Sequence, residues 1–174
     1  YVLIDRDGVL NHKNKKERYI TTIKNLKINK LQCNKLPKDA NFICITNQAG
    51  LSTKDLSLQN LKKINVKIHK YLKKINIKLD KFYISHHHFN SLSNFRKPNP
   101  GYFFKASNDY NFILDKTFYI GDDKRDIEAA YNANTFIIYV GKDELTTNEK
   151  KKYKYIVLNN SIKKIFYEKK KFRF

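Results

Sequence analysis

The sequence has no methionine and no tryptophan, three prolines, five glycines, two cysteines, and 16 acidic residues against 36 basic ones. Each scarcity excludes something. Two cysteines, Cys33 and Cys44, cannot build the dense disulfide framework of a small secreted domain. Cys44 lies in the apolar run Phe42-Ile43-Cys44-Ile45 and reads as a small buried hydrophobe. Glycine, serine and proline nowhere gather into a linker, and no internal repeat is visible. Long apolar runs are missing too. Nothing approaches the roughly 20 residues that span a bilayer, so no membrane partner is expected. The opening Tyr1-Val2-Leu3-Ile4-Asp5 has neither the basic start nor the small-residue cleavage site of a secretory leader. The expectation is a soluble, cytoplasmic monomer.

What is present suits a packed core. Hydrophobic residues make up 41% of 174 positions, which fits one domain over residues 1–174. The formal net charge is +20. Such a charge suits a nucleic-acid or membrane-surface partner. It also follows from composition bias: Lys is spread along the whole chain and Asn is abundant, a pairing that AT-rich codons produce. Bias is the preferred reading, and nucleic acid is not an expected partner. In either case the field favours anionic substrates, phosphate esters among them.

Short apolar runs alternate with helical patterns. Val2 to Ile4, Asn41 to Thr46, Phe82 to Ile84, Thr117 to Ile120 and Thr135 to Val140 read as strands, with Tyr155 to Leu158 as a last short one. Continuous rather than alternating apolar runs suit a parallel sheet covered on both faces. Leu58, Leu61, Ile64, Ile68, Leu72 and Ile75 recur at helical spacing with Lys on the opposite face. Gly101 to Tyr110 behind Pro100, and Asp126 to Asn134, predict two further helices. Asp126 would stand at a helix N-terminus, where the dipole favours a carboxylate. Ser161 is placed to cap a closing helix to about Lys170, ahead of a frayed basic tail over residues 169–174. Residues 12–39 hold too few apolar side chains for a large cap and predict a loop, a short helix and an open site. The fold class is α/β: a Rossmann-like domain with a mainly parallel central sheet, helices on both faces and little or no cap.

Four polar clusters are expected where strands end, which is where ligands bind in such sheets. In Asp5-Arg6-Asp7-Gly8-Val9-Leu10-Asn11, two carboxylates two residues apart can share a site, one attacking and the other transferring a proton. Gly8 permits a tight turn. Thr46-Asn47-Gln48-Ala49-Gly50 offers a hydroxyl and turn amides to a phosphate. In Arg96-Lys97-Pro98-Asn99-Pro100-Gly101, Lys97 can neutralise a transferring phosphoryl group and Arg96 can grip a second anion. Gly121-Asp122-Asp123-Lys124-Arg125-Asp126 supplies hard oxygen ligands. Singly, each cluster is ordinary surface chemistry. Together, and in this order, they fit Mg²⁺-assisted phosphoryl transfer to an aspartate.

These clusters, between Val2 and Gly141, resemble the four motifs of the haloacid dehalogenase superfamily. The first three resemble its nearly capless branch of heptose bisphosphate and histidinol-phosphate phosphatases. The resemblance implies Asp5 as nucleophile and Asp7 as general acid and base. It implies Lys97 as the charge-neutralising lysine, with Thr46, Asn47 and Arg96 as phosphate and substrate contacts. Asp122, Asp5 and the carbonyl of Asp7 would hold Mg²⁺, and Asn11 would help shape the substrate site. Residues 142–174 form an extension beyond the motifs.

Two departures stand out. The branch carries a zinc loop before Arg-Lys-Pro; at the matching Ile84-Ser85-His86 and Ser93-Asn94-Phe95 only His86 remains, so that tetrahedral site cannot form. Zinc is not expected at His86-His87-His88 either, since three consecutive side chains converge poorly on one ion. The loop is instead expected to be held by Phe89, Leu92 and Phe95 and to lie over the site. Asp123 also replaces the lysine common after the metal-binding aspartate, adding negative charge beside the cation. The implied activity is a phosphomonoesterase acting on a small phosphorylated metabolite, with heptose 1,7-bisphosphate leading. Histidinol phosphate, a polynucleotide 3′-phosphatase-like module and a non-catalytic domain are the alternatives.

Overall fold

The computed structural model describes residues 1–14 and 19–153, and the backbone of 156–158. Six strands form one parallel sheet: β1 (Val2–Ile4), β2 (Asn41–Asn47), β3 (Lys78–Ser85), β4 (Phe118–Gly121), β5 (Phe136–Tyr139) and β6 (Ile156–Leu158). Their order is β3-β2-β1-β4-β5-β6. The chain therefore winds outward from β1 in one direction, returns, and winds outward from β4 in the other. The crevice where the direction reverses, at the carboxyl ends of β1 and β4, is where such sheets place ligands.

Successive strand residues feed opposite layers. Val2, Ile4, Phe42, Cys44, Phe118 and Ile120 are buried on one face, and Leu3, Ile43, Ile45, Tyr119 and Ile137 on the other. This double burial explains why the strands read as unbroken apolar runs. Helix α1 (Lys30–Asn34) contributes Cys33 to the first layer, and α2 (Leu58–Lys74) contributes Leu61, Ile64, Ile68 and Leu72. Each large α2 side chain so buried contributes about 1.5–3 kcal/mol of hydrophobic stabilisation. Ser57 caps α2, accepting from the Asn60 amide. Helices α3 (Gly101–Tyr110) and α4 (Lys124–Asn132) cover the second face with Phe103, Ala106, Ile127, Ala129 and Ala130. A fifth helix among the described residues, α5 (Thr147–Lys152), follows Leu145, which joins that layer. Both cysteines are free and buried. Among the described residues no helix is long and apolar enough to cross a membrane.

Some expectations need correction. β3 is longer than its three-residue apolar core because its edge position tolerates the charged Lys78 and Lys81. Helix α4 starts two residues earlier than the apolar pattern implies, because Asp123 and Asp126 form a reciprocal capping box. The 85–95 loop is held by apolar packing only in part, through Phe95 against Tyr102 and Phe89 against His88, and Leu92 takes no share. Leu92 is 96% exposed, and Phe89 and Phe95 are about two-fifths exposed. Backbone and polar contacts also hold it: Arg96 donates to the His87 carbonyl, Asn99 to that of Ser93, and the Gly101 amide to that of Asn94. Tyr155, the helix expected from Ser161 and the basic tail lie outside the described residues.

Candidate active site

Three of the four clusters end strands of the sheet's central crevice, and the fourth is brought to them by the turn before α3. They line one pocket of about 350 Å³, whose walls include Asp5, Asp7, Thr46, Asn47, Arg96 and Lys97. The Asp5 amide still donates to the Ile120 carbonyl of β4 (2.8 Å), so the sheet's own hydrogen bonding fixes the position of Asp5. The chain then turns through Gly8, at φ +96°, a region that only glycine enters readily. A Cβ there would overlap the Asp122 carboxylate, so Gly8 also lets the β4 end approach.

Lys97 is the centre of the charged network. Its ammonium lies 2.8 Å from Asp5 Oδ1 and 2.7 Å from Asp126 Oδ1. It also donates to the Ile45 carbonyl (3.0 Å) and the Tyr119 hydroxyl (2.7 Å). Burial alone would depress its pKa, but the two carboxylates raise it, and Lys97 remains protonated. One ammonium does not balance three carboxylates. Burial first, with the charges of Asp126 and Asp122, outweighs Lys97 and pushes Asp5 up to about 8. Burial likewise lifts Asp122 to about 6 against the pull of Lys13.

Asp7 stands in the opposite environment. Burial works to raise its pKa, yet the Arg6 charge, with hydrogen bonds from Arg6, Asn11 and Gln48, takes it below the usual carboxylate range. Arg6 is fully buried and donates to both Asp7 oxygens (3.1 and 3.0 Å), to Gln48 Oε1 (2.8 Å) and to Asn65 Oδ1 (3.1 Å). Gln48 donates to Asp7 Oδ2 (2.8 Å) and Thr46 Oγ1 (2.9 Å).

The remaining expected residues take more specific places. Asn47 lines the pocket, but its amide exchanges two hydrogen bonds with the backbone of Lys97 (2.9 and 3.1 Å), joining the second cluster to the third. Asn11, expected to shape the substrate site, is fully buried and donates to Asp7 Oδ1 (2.9 Å); it orients a carboxylate from behind the pocket wall. The 12–39 segment contributes more wall than its composition suggested, through Lys13, Asn14, Tyr19 and Ile20.

Asp5, Asp122 and Asp126 can each bring one carboxylate oxygen within 4.8 Å of the others. Asp126 is already committed: Oδ1 accepts from Lys97 and Tyr119, and Oδ2 from the amides of Asp122 and Asp123. Asp122 Oδ1 is buried without a hydrogen-bond partner among the described residues. An orphaned carboxylate oxygen beside Asp5, in a corner with excess negative charge, fits a hard divalent cation. The carboxylate of Asp7, expected among the metal residues for its carbonyl, is turned instead toward Arg6, Gln48 and Asn11.

Sequence reasoning missed Arg6, Lys13, Gln48, Tyr119 and the site role of Asp126. Only Asp126 carried a signal. It lies four residues after Asp122, one helical turn along, and it is 1% exposed, not at a solvated helix end. Asp123 is held well below the usual range by the hydrogen bonds and charge of Arg125, against burial, and both its oxygens accept from Arg125.

The chain is 26% identical over 106 residues to D-glycero-beta-D-manno-heptose-1,7-bisphosphate 7-phosphatases from two Neisseria meningitidis strains. That match covers 60% of this chain and 57% of the relatives, so it spans little more than half their length. The fold resembles the D,D-heptose 1,7-bisphosphate phosphatase of B. bronchiseptica, solved with magnesium and phosphate, at TM-score 0.81 and 20% identity over 98% of this chain and 97% of that one. The enzyme of the same name from Burkholderia thailandensis superposes at TM-score 0.59 and 15% identity, with 96% of each chain covered. Residues 2–154, which include the four clusters and strands β1 to β5, match a family model, and the chain belongs to the polynucleotide kinase 3 phosphatase family.

Proposed function

We propose that this chain is a Mg²⁺-dependent phosphomonoesterase that works through an aspartyl phosphate on Asp5. The observation that carries this reading is the position of Asp5, 2.8 Å from the buried Lys97 ammonium and within one ligand group with Asp122. Asp5 and Asp122 would hold Mg²⁺, which when bound supplies positive charge to the transferring phosphoryl group. An Asp5 oxygen forms the new bond to phosphorus as the bond to the leaving oxygen breaks. Asp7 gives that oxygen its proton. Arg6 keeps Asp7 ionised in the resting chain, so Asp7 first takes a proton from the substrate's phosphate monoanion, whose loss leaves the dianion, and passes that proton to the leaving oxygen. Asp7 then takes a proton from the water that attacks phosphorus, the bond to Asp5 breaks, and phosphate leaves. Lys97 balances charge on Asp5 throughout. Thr46 and Asn47 bound the phosphate end of the pocket, and Arg96 faces the rest of the substrate.

The substrate proposed is a small sugar phosphate, with heptose 1,7-bisphosphate leading because the curated relatives carry that name. A second reading, a 3′-phosphorylated polynucleotide end, is favoured by the family match and by the net charge of +20. Phosphate release from heptose bisphosphate, histidinol phosphate, simple sugar phosphates and a 3′-phosphorylated oligonucleotide, with Mg²⁺ or chelator, separates them. Release that needs the metal and disappears in Asp5→Asn supports the mechanism, and the best substrate selects the reading. A wild-type chain that releases nothing from any of them would overturn the catalytic proposal.

A further inference from the structure

The cation corner of the pocket already contains a positive charge that comes from outside the four clusters. Lys13 Nζ lies 2.7 Å from Asp122 Oδ2 and 3.8 Å from Asp123 Oδ2. The other nearby cations are engaged: Lys97 lies between Asp5 and Asp126, and Arg125 forks the Asp123 carboxylate. Among the described residues, Lys13 is therefore the side chain that neutralises Asp122.

The two ends of this pair are held very differently. The Asp122 side chain is 12% exposed, fixed against Gly8, with Oδ1 buried and unpartnered. The Lys13 side chain is 50% exposed and reaches in from the pocket wall on a flexible four-carbon stem. Such a half-exposed ammonium is a weak partner that gives way readily. A divalent cation between Asp5 and Asp122 would carry twice the charge and compete for the same carboxylate. The ammonium and the divalent cation repel one another when both contact that carboxylate, and the half-exposed Lys13 is the one with solvent to withdraw into.

We infer that Lys13 is a resident counter-ion of the cation site: its ammonium pairs with Asp122 in the metal-free chain and is displaced to the pocket rim when a divalent cation binds. This rests on the reading of Asp5 and Asp122 as cation ligands. It makes cation affinity a competition, lowered by the free energy of the Lys13–Asp122 contact. It also accounts for an acidic residue at position 123 beside the site, since Lys13 and Arg125 together balance the two adjacent carboxylates.

The test compares wild type, Lys13→Met and Lys13→Arg without substrate, titrated with Mg²⁺ by thermal shift and with Mn²⁺ by the loss of the free-ion EPR signal. Lys13→Met keeps the stem and removes the charge. It is expected to bind either cation roughly 3- to 10-fold more tightly. Its Tm without metal is expected below wild type, and the gap is expected to close at saturating Mg²⁺. Lys13→Arg, which restores a cation, is expected near wild type. Equal or weaker binding by Lys13→Met, with wild type binding normally, would overturn the inference and leave the cation site standing. A wild type blind to both ions at millimolar concentration would overturn the cation reading and this inference with it.

Discussion

The two sides of the β1 turn hold their carboxylates in opposite states. On the β4 side, Asp5 shares one ammonium with Asp126 and is pushed up to about 8 by burial and by its acidic neighbours. On the β2 side, Asp7 meets a whole guanidinium and two side-chain amides and is lowered despite burial. Two residues of sequence thus separate a site short of positive charge from one amply supplied with it. A division of labour between paired carboxylates follows from such a difference in surroundings. The side short of positive charge is where a cation is stabilising, and the saturated side is where a proton is handed over and recovered.

The largest test of this contrast is to neutralise each carboxylate in turn. Asp5→Asn is expected to lower kcat for phosphate release by roughly 10⁴-fold or more, because the attacking atom is gone. Asp7→Asn is expected to cost about 10²- to 10⁴-fold, because only proton transfer is lost. In that variant, trapping with labelled substrate should find phosphate held on Asp5; equal effects without a trapped intermediate would break the division. Next comes Lys97→Met. It leaves Asp5 and Asp126 buried without their counter-ion, and urea denaturation is expected to show a loss of about 3–5 kcal/mol.

The pH dependence is smaller and has a definite sign. Asp5 and Asp122 are raised to about 8 and about 6, so between pH 4 and 8 the native chain holds more protons than the unfolded one. Metal-free stability is therefore expected to fall as pH rises through that window. Mg²⁺ must displace those protons, so its affinity is expected to rise with pH, close to tenfold per unit between about 6 and 8. Calorimetry in buffers of different ionisation enthalpy would read the released protons directly, and an affinity indifferent to pH would contradict the raised values. Asp7 contributes the reverse slope, since its lowered pKa adds stability above the ordinary carboxylate range that is lost on acidification. The smallest effect belongs to a position far from the contrast. Leu92→Ser in the 85–95 loop is expected to change Tm and kcat hardly at all, within about 0.5 kcal/mol, because its side chain is 96% exposed.

Much of the fold was legible because its signals are local. Strands buried on both faces must be apolar without alternation, and Val2 to Ile4 and Phe42 to Ile45 are. The α2 stripe shows the helical period for the same reason. The loop expectation failed at Leu92 because hydrophobicity states a preference for burial, and burial also needs a neighbouring surface to pack against. Within the site, residues next to a strand end were legible, since the sheet brings its carboxyl ends together. The roles of Arg6, Gln48 and Tyr119 were not, because which carboxylate each meets depends on side-chain directions that residue identity does not fix.

The sequence by itself determined the order of strands and helices as far as β5, though not α5, and the presence of Asp5, Asp7, Lys97 and Asp122 in four spaced clusters. Those are properties of local periodicity and residue identity. The tertiary structure decided which carboxylate meets which cation: Asp126 shares Lys97 with Asp5, Arg6 turns onto Asp7, and Lys13 reaches Asp122. The reason is physical. Ionisation and ion pairing depend on distances of a few ångströms and on exclusion of water, and Lys97 and Lys13 reach carboxylates 29 to 109 residues away in sequence.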